Sequence, residues 1–220
     1  MSIASGSYGH VKFMSKALIL GLLPAMPVTA ETVVVAALGD SLTQGYGLVE
    51  NEGFVPQLSN WLTNKGADVQ VVNAGVSGDT TQGGLARTAW TLTSDVDALI
   101  ITLGGNDLLR GIDPAVSRSN LAGIIEIAQA KDVEVLLIGM TAPLNFGADY
   151  KKSFDGMYET LSLEYDINLG PDFFAGLRDI ALSDRGSVMQ SDQLHPNAVG
   201  VGLIVEVLGP YVLTLVEQVK

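Results

Sequence analysis

Apolar positions along this chain fall into two kinds of segment that alternate. Thr32 to Leu38 (TVVVAAL), Val69 to Asn73 (VQVVN), Ala98 to Leu103 (ALIITL) and Val133 to Gly139 (VEVLLIG) are short, nearly continuous apolar runs. A parallel sheet covered on both faces needs such runs, so all four are predicted as fully buried strands. Helical patterns separate them. Phe54 to Lys65 is closed by Gly66, and Asp113-Pro114 offers an N-cap and a first-position proline for a helix to about Lys131. Tyr150 to Tyr165 and Asn197 to Val219 complete the set. Strand and helix alternating at this spacing predict an α/β fold, a three-layer α/β/α sandwich on a mainly parallel sheet. Trp61 and Trp90 fall within helical patterns and are expected in the core. No repeat, low-complexity stretch or interdomain linker interrupts the pattern, so residues 31–220 are expected to form a single domain.

The first thirty residues break the pattern. Lys12 and Lys16 precede a short apolar run, Ala17 to Met26, and then Val28-Thr29-Ala30. This charged, apolar, small-residue order is that of a secretory signal peptide (residues 1–30), with cleavage expected after Ala30. Met1 to Phe13 is long for the charged region, which makes Met14 a second candidate start. The apolar run is about half the ~20 residues of a spanning helix, and Pro24 interrupts it, so no stable membrane anchor is expected. The last helix is apolar almost throughout (VGVGLIVEVLG), which with Glu206 suits burial against a sheet.

Composition narrows the chemistry. Apolar residues make up 47% and charged ones 16% of the 220, enough for a filled core. The formal charge is −12 (12 basic, 24 acidic). Cleavage after Ala30 removes two lysines and no acid, leaving 10 − 24 = −14. Such a surface repels phosphate backbones and anionic headgroups, so nucleic acid is not an expected partner. The sequence contains no cysteine, which excludes disulfides, thiolate metal sites and a cysteine nucleophile.

In a parallel sheet, sites form beyond the carboxyl ends of the strands. The polar, glycine-rich peptides lie there: Gly39-Asp40-Ser41-Leu42, Asn73 to Gly78 (NAGVSG), Gly104-Gly105-Asn106-Asp107 and, before the last helix, Asp192 to Asn197 (DQLHPN). Of the two histidines, His10 lies in the segment expected to be removed, so a histidine base must be His195. Asp192, three residues earlier, is close enough in a turn to fix its tautomer. Ser41, just past a strand, is a candidate nucleophile, or equally the N-cap of the next helix. The Gly75 N–H and the Asn106 amide are candidate oxyanion donors beside the Ser41 N–H, or else simple turn residues. Asp40 and Asp107 are expected to structure their loops. Gly39 to Gly45 has phosphate-loop spacing, but Tyr46-Gly47 stands where Lys and Ser/Thr belong. No Gly-x-Ser-x-Gly elbow is present either.

In order and spacing, these four peptides resemble the conserved blocks of the SGNH (GDSL-type) hydrolases, over essentially all of Thr32 to the C-terminus. Gly39 to Gly47 (GDSLTQGYG), Asn73 to Thr80 (NAGVSGDT), Leu103 to Leu108 (LGGNDL) and Met189 to Asn197 (MQSDQLHPN) look most like the bacterial multifunctional acyl-CoA thioesterase I / lysophospholipase / arylesterase branch. The resemblance implies a flavodoxin-like SGNH fold and a serine esterase of aryl esters, acyl thioesters or lysophospholipids, with a carbohydrate O-acetyl esterase as the alternative. It implies Ser41 as nucleophile, His195 as base, Asp192 as its orienting group, and Ser41, Gly75 and Asn106 as the oxyanion hole. It implies no metal and no organic cofactor. A small-molecule or lipid ester is the expected partner, a monomer the expected state, and the periplasm or medium the expected location. The branch carries glycine where this chain has Gln193, which puts that turn under strain if it needs positive φ. From topology alone, Pro143, Leu144 and Phe146 are expected to wall the acyl-chain site.

Overall fold

A computed structural model describes residues 1–6, 9 and 32–219. The expected signal peptide and Met14 lie almost wholly outside the described residues. Five parallel strands form one sheet in the order β2-β1-β3-β4-β5: β1 Val33–Gly39, β2 Val69–Gly75, β3 Ala98–Thr102, β4 Glu134–Ile138 and β5 Asn168–Gly170. This is the flavodoxin-type order, with its switch point where β1 meets β3. The helices are α1 Ser41–Gln44, α2 Phe54–Asn64, α3 Thr81–Thr91, α4 Gly105–Leu109, α5 Pro114–Gln129, α6 Ala148–Tyr165 and α7 Ala198–Val219. Helices α2 and α7 pack together, as do α3, α5 and α6, which gives the α/β sandwich.

The strand centres behave as their composition requires. β1 and β3 are buried over Val35–Gly39 and Ala98–Thr102, and β4 over Val135–Ile138. β2 does not meet the expectation of full burial. It is the border strand, pairs only with β1, and leaves Gln70, Val72 and Asn73 exposed. The three-residue β5 is too short to make a recognisable apolar run.

Punctuation at the helix ends also holds. Asp113 caps α5 by accepting from the Ala115 N–H at 2.9 Å, with Pro114 in its first turn. Gly66 takes the left-handed conformation (φ 80) after α2. Gly83 and Gly84 dilute the apolar pattern of helix α3. It corrects the expectation for Trp90. Thr81, Gly84 and Thr88 form its buried stripe, so position 90 points away and is 87% exposed. Trp61 does pack on the core, beside Gly209 of α7, with its indole N–H donating to Glu206.

Helix α7 is long and apolar enough to span a bilayer, with a mean hydropathy of 2.0. Its Val201, Ile204, Val205, Leu208, Val212, Leu215 and Val216 are buried at helical spacing. They form one continuous face, with α2, β3 and β4 packed against the helix. That is the behaviour of a core helix.

Candidate active site

The turn after β1 places Ser41. Asp40 is the N-cap of α1, its carboxylate accepting from the Leu42 N–H at 3.0 Å, so Ser41 is the first helical residue and not the cap. Its side chain is therefore left free for another partner. Gly39 is required by contact. A Cβ there would lie 2.1 Å from the Thr43 hydroxyl and 2.2 Å from that of Thr102, which hydrogen-bond to each other inside the core.

The partner arrives from the turn before α7. Met189 and Pro196 form an isolated bridge, and the Gln190 N–H donates to the His195 carbonyl at 2.8 Å. Within this loop Asp192 Oδ1 accepts from the Leu194 and His195 N–H groups at 2.9 and 3.0 Å. Its Oδ2 lies 2.7 Å from His195 Nδ1. His195 Nε2 lies 2.9 Å from Ser41 Oγ, across 154 positions of sequence. A carboxylate at Nδ1 assigns the proton to that nitrogen and leaves Nε2 to accept from the Ser41 hydroxyl. The His195 N–H, the imidazole and the Leu194 N–H together hold the Asp192 carboxyl down at about 2. Gln193 adopts φ 57, the left-handed conformation that glycine would take without strain.

Gly75 and Asn106 flank Ser41 on the neighbouring strands' loops. A Cβ on Gly75 would lie 2.3 Å from the Gln44 nitrogen, so glycine is the residue that lets β2 approach α1. Its N–H donates to Asn73 Oδ1 at 2.9 Å. The Asn106 amide donates to Asp40 Oδ2 at 3.2 Å. Asp40 is buried, and desolvation pushes its carboxyl up to about 6 against the Leu42 and Asn106 hydrogen bonds. Both expected oxyanion donors thus have acceptors within the protein.

Asp107 structures its loop as expected, accepting from the Thr81 N–H (2.8 Å), the Thr81 hydroxyl (2.6 Å) and Ser117 (2.9 Å). Other positioning residues carry no signal in the sequence. Arg87 pairs with Asp79 at 2.6 Å and donates to the carbonyls of Ala74 and Gly39, tying the ends of β1 and β2 together. Gln190 donates to the carbonyls of Tyr46 and Pro196, and the Tyr46 ring lies 4.7 Å from the imidazole. None of these contacts follows a helical or strand period, so no pattern in the sequence marks them.

Ser41, Asn106 and His195 open into a cavity of about 270 Å³ walled mainly by Leu108, Leu109, Met140, Phe174 and Leu194. The expected wall is not among its lining. Pro143, Leu144 and Phe146 lie on a neighbouring loop, where Phe146 sits over Gly111 and 5.0 Å from the Tyr150 ring, and Leu144 is exposed. The reason is that α4 turns its own Leu108 and Leu109 into this cavity.

Residues 37–203 match the model of the GDSL-like lipase/acylhydrolase family. The chain is 38% identical to the esterase TesA of Pseudomonas aeruginosa, over 80% of this chain and 84% of that one. It is 35% identical to thioesterase 1/protease 1/lysophospholipase L1 of Escherichia coli (strain K12), over 82% of each. Among solved structures it resembles AlinE4, an SGNH-hydrolase family esterase, at 41% identity and a TM-score of 0.69, covering 83% of this chain and 96% of that one.

Proposed function

Because the chain belongs to the GDSL-like lipase/acylhydrolase family and is a serine hydrolase of ester bonds, we propose that it cleaves lipid-type carboxylic esters, and the corresponding thioesters, through an acyl-enzyme on Ser41. The single observation that carries this is the relay of 2.7 and 2.9 Å from Asp192 through His195 to Ser41, opening into an apolar cavity. Ser41 Oγ attacks the ester carbonyl while its proton passes to His195 Nε2. The imidazolium formed is stabilised by Asp192, which stays ionised. Collapse of the tetrahedral intermediate expels the alcohol or thiol, which takes the proton from Nε2. Water then repeats the sequence on the acyl-enzyme and releases the acid.

The oxyanion is to be met by the Ser41 and Gly75 N–H groups and the Asn106 amide. Losing one such donor costs about 10² to 10³ in rate. Asn73, which holds the Gly75 N–H at rest, must yield it as charge develops on the substrate oxygen, whereas the Asn106 amide has a second N–H beside the one given to Asp40. The mainly aliphatic lining, with Tyr46 and Phe174 as its aromatic members, favours an acyl chain over a sugar ring, and so favours the lipid-type ester over carbohydrate O-acetyl groups.

Export is part of the proposal. It is supported by the order of Lys12, Lys16, Ala17 to Met26 and Val28-Thr29-Ala30. Amino-terminal sequencing of the protein from the extracytoplasmic fraction should begin at Glu31, and an intact Met1 or Met14 terminus there overturns it. Hydrolysis of p-nitrophenyl esters of increasing chain length, with a lysophospholipid and Ser41→Ala in parallel, tests the chemistry. Turnover abolished by Ser41→Ala, with a preference for acyl chains beyond acetyl, is expected. Turnover that survives Ser41→Ala removes it as nucleophile, and strict acetyl preference points to the carbohydrate alternative.

A further inference from the structure

The guanidinium of Arg87, on α3, has a protein acceptor for each of its three nitrogens. Nε pairs with Asp79 at 2.6 Å, one terminal nitrogen donates to the Ala74 carbonyl at 2.6 Å, and the other donates to the Gly39 carbonyl at 2.9 Å. The side chain is mostly withdrawn from water, and Asp79 offsets the cost of withdrawing its charge. Gly39 and Gly75 are register partners at the ends of β1 and β2, and the Val76 N–H also donates to the Gly39 carbonyl, at 3.0 Å. One cation therefore spans the turn that presents Ser41 and the strand end that presents Gly75.

The Ala74 carbonyl is the other half of the peptide group that carries the Gly75 N–H. A cation on that oxygen draws electron density from the amide nitrogen towards the carbonyl, which leaves the N–H more positive and a stronger donor. At rest this N–H meets the neutral side-chain oxygen of Asn73 at 2.9 Å. A tetrahedral oxyanion is charged, so it gains more from the same polarisation than Asn73 does. The interaction is thus stronger in the transition state than in the ground state, which is the condition for lowering a barrier. A neutral cross-tie between the two strand ends would fix their distance without this gain.

We infer that Arg87 is a positioning residue for the oxyanion hole. It orients the Ala74–Gly75 peptide against the Ser41 turn and strengthens the Gly75 N–H as a donor to the developing oxyanion. The inference rests on the proposed role of that N–H and extends it to a residue that touches no substrate. Arg87 does not line the catalytic cavity, so it acts through the backbone. The planar fork suits the task, because its fixed geometry serves two carbonyls and a carboxylate at once, which a single ammonium does not. Gly83 makes room for the pair, since a Cβ there would lie 2.4 Å from Asp79 Oδ1.

With p-nitrophenyl butyrate, Arg87→Gln should lower kcat about tenfold and leave KM within roughly twofold, a smaller loss than that of a whole donor. Two inhibitors separate this from a general disturbance of the site. A trifluoromethyl ketone adds to Ser41 as a tetrahedral oxyanion, whereas the methyl ketone of the same alkyl chain binds unreacted. Arg87→Gln should weaken the first about tenfold and leave the second unchanged, so the ratio of the two affinities falls. Arg87→Lys keeps the charge but has one ammonium for two carbonyls, so its ratio should fall part of the way, and it decides the case if Arg87→Gln does not fold. A wild-type ratio in the folded variant overturns the inference, even if turnover falls. Amide NMR distinguishes this failure from that of the reading beneath it. The Gly75 amide proton should move downfield when the wild type forms the trifluoromethyl ketone adduct, and less far in the variant. A proton that stays in place in the wild type overturns the donor role of Gly75 and the inference with it. One that moves equally far in wild type and variant overturns the inference alone.

Discussion

The two partners of the central hydrogen bond, Ser41 and His195, are positioned by different means. Ser41 follows β1, an inner strand buried between β2 and β3, and the turn that presents it closes on Gly39, Thr43 and Thr102 in the core. His195 belongs to a surface loop whose residues 191–194 are exposed. That loop is held by polar contacts: Asp192 to two N–H groups, Gln190 to Tyr46 and Pro196, and Asn197 to the first turn of α7. Close packing fixes the turn that presents Ser41, whereas hydrogen bonds fix the loop that presents the imidazole. Damage to the first region should therefore be seen mainly in stability, and damage to the second mainly in turnover.

The largest expected effect is on the loop side. Asp192→Ala should lower kcat by about 10⁴-fold, with Tm moved by no more than a few degrees, as followed by ester hydrolysis and thermal unfolding. Loss of the fold together with activity would erase the contrast. Because Asp192 is ionised down to about pH 2, the acid limb of the wild-type pH–rate profile should not report its titration.

On the core side, Gly39→Ala should destabilise the protein by about 3 kcal/mol in denaturant unfolding, since neither buried hydroxyl can move aside freely. A well-folded Gly39→Ala protein would show that the turn is softer than its packing implies.

Asp40→Asn sharpens the comparison because it trades the two properties against each other. The Asp40 carboxyl is raised from 3.8 to about 6, so the folded protein holds that proton more tightly than the unfolded chain. Wild-type stability from this group therefore falls as pH rises from about 4 to 6 and stays low above it. Asp40→Asn should be more stable than wild type at pH 8, by up to about 3 kcal/mol, with the gain vanishing near pH 4. Its activity should fall roughly tenfold, because a neutral amide oxygen at position 40 accepts from the Asn106 amide more weakly than a carboxylate does. A stability gain independent of pH would exclude the buried charge as its cause.

The smallest effect is expected at Gln193→Gly. Relieving the φ of 57 should raise stability by about 0.5 to 1 kcal/mol and leave kcat within twofold. A large change in kcat would mean that the strained turn tunes the imidazole position.

The apolar runs identified four of the five strands, and capping residues such as Asp113-Pro114 and Gly66 marked helix ends, because both signals are local. Ser41, Asp192 and His195 were also legible, through four glycine-rich peptides at strand ends and a scarcity of histidine. What was misread depended on neighbours that the sequence does not name. The partial exposure of β2 follows from its place at the sheet border, and the exposure of Trp90 from which face of α3 meets the sheet. The cavity wall was sought at Pro143, Leu144 and Phe146, yet Leu108, Leu109, Met140, Phe174 and Leu194 supply it from separate loops. By itself, then, the sequence determined the strand and helix pattern, the sandwich and the candidates Ser41, Asp192 and His195, since hydrophobic period, turn chemistry and side-chain type act within a few residues. Only the tertiary structure decided which donors are occupied at rest and which side chains wall the cavity. Those are set by packing and hydrogen bonds between segments far apart in the chain.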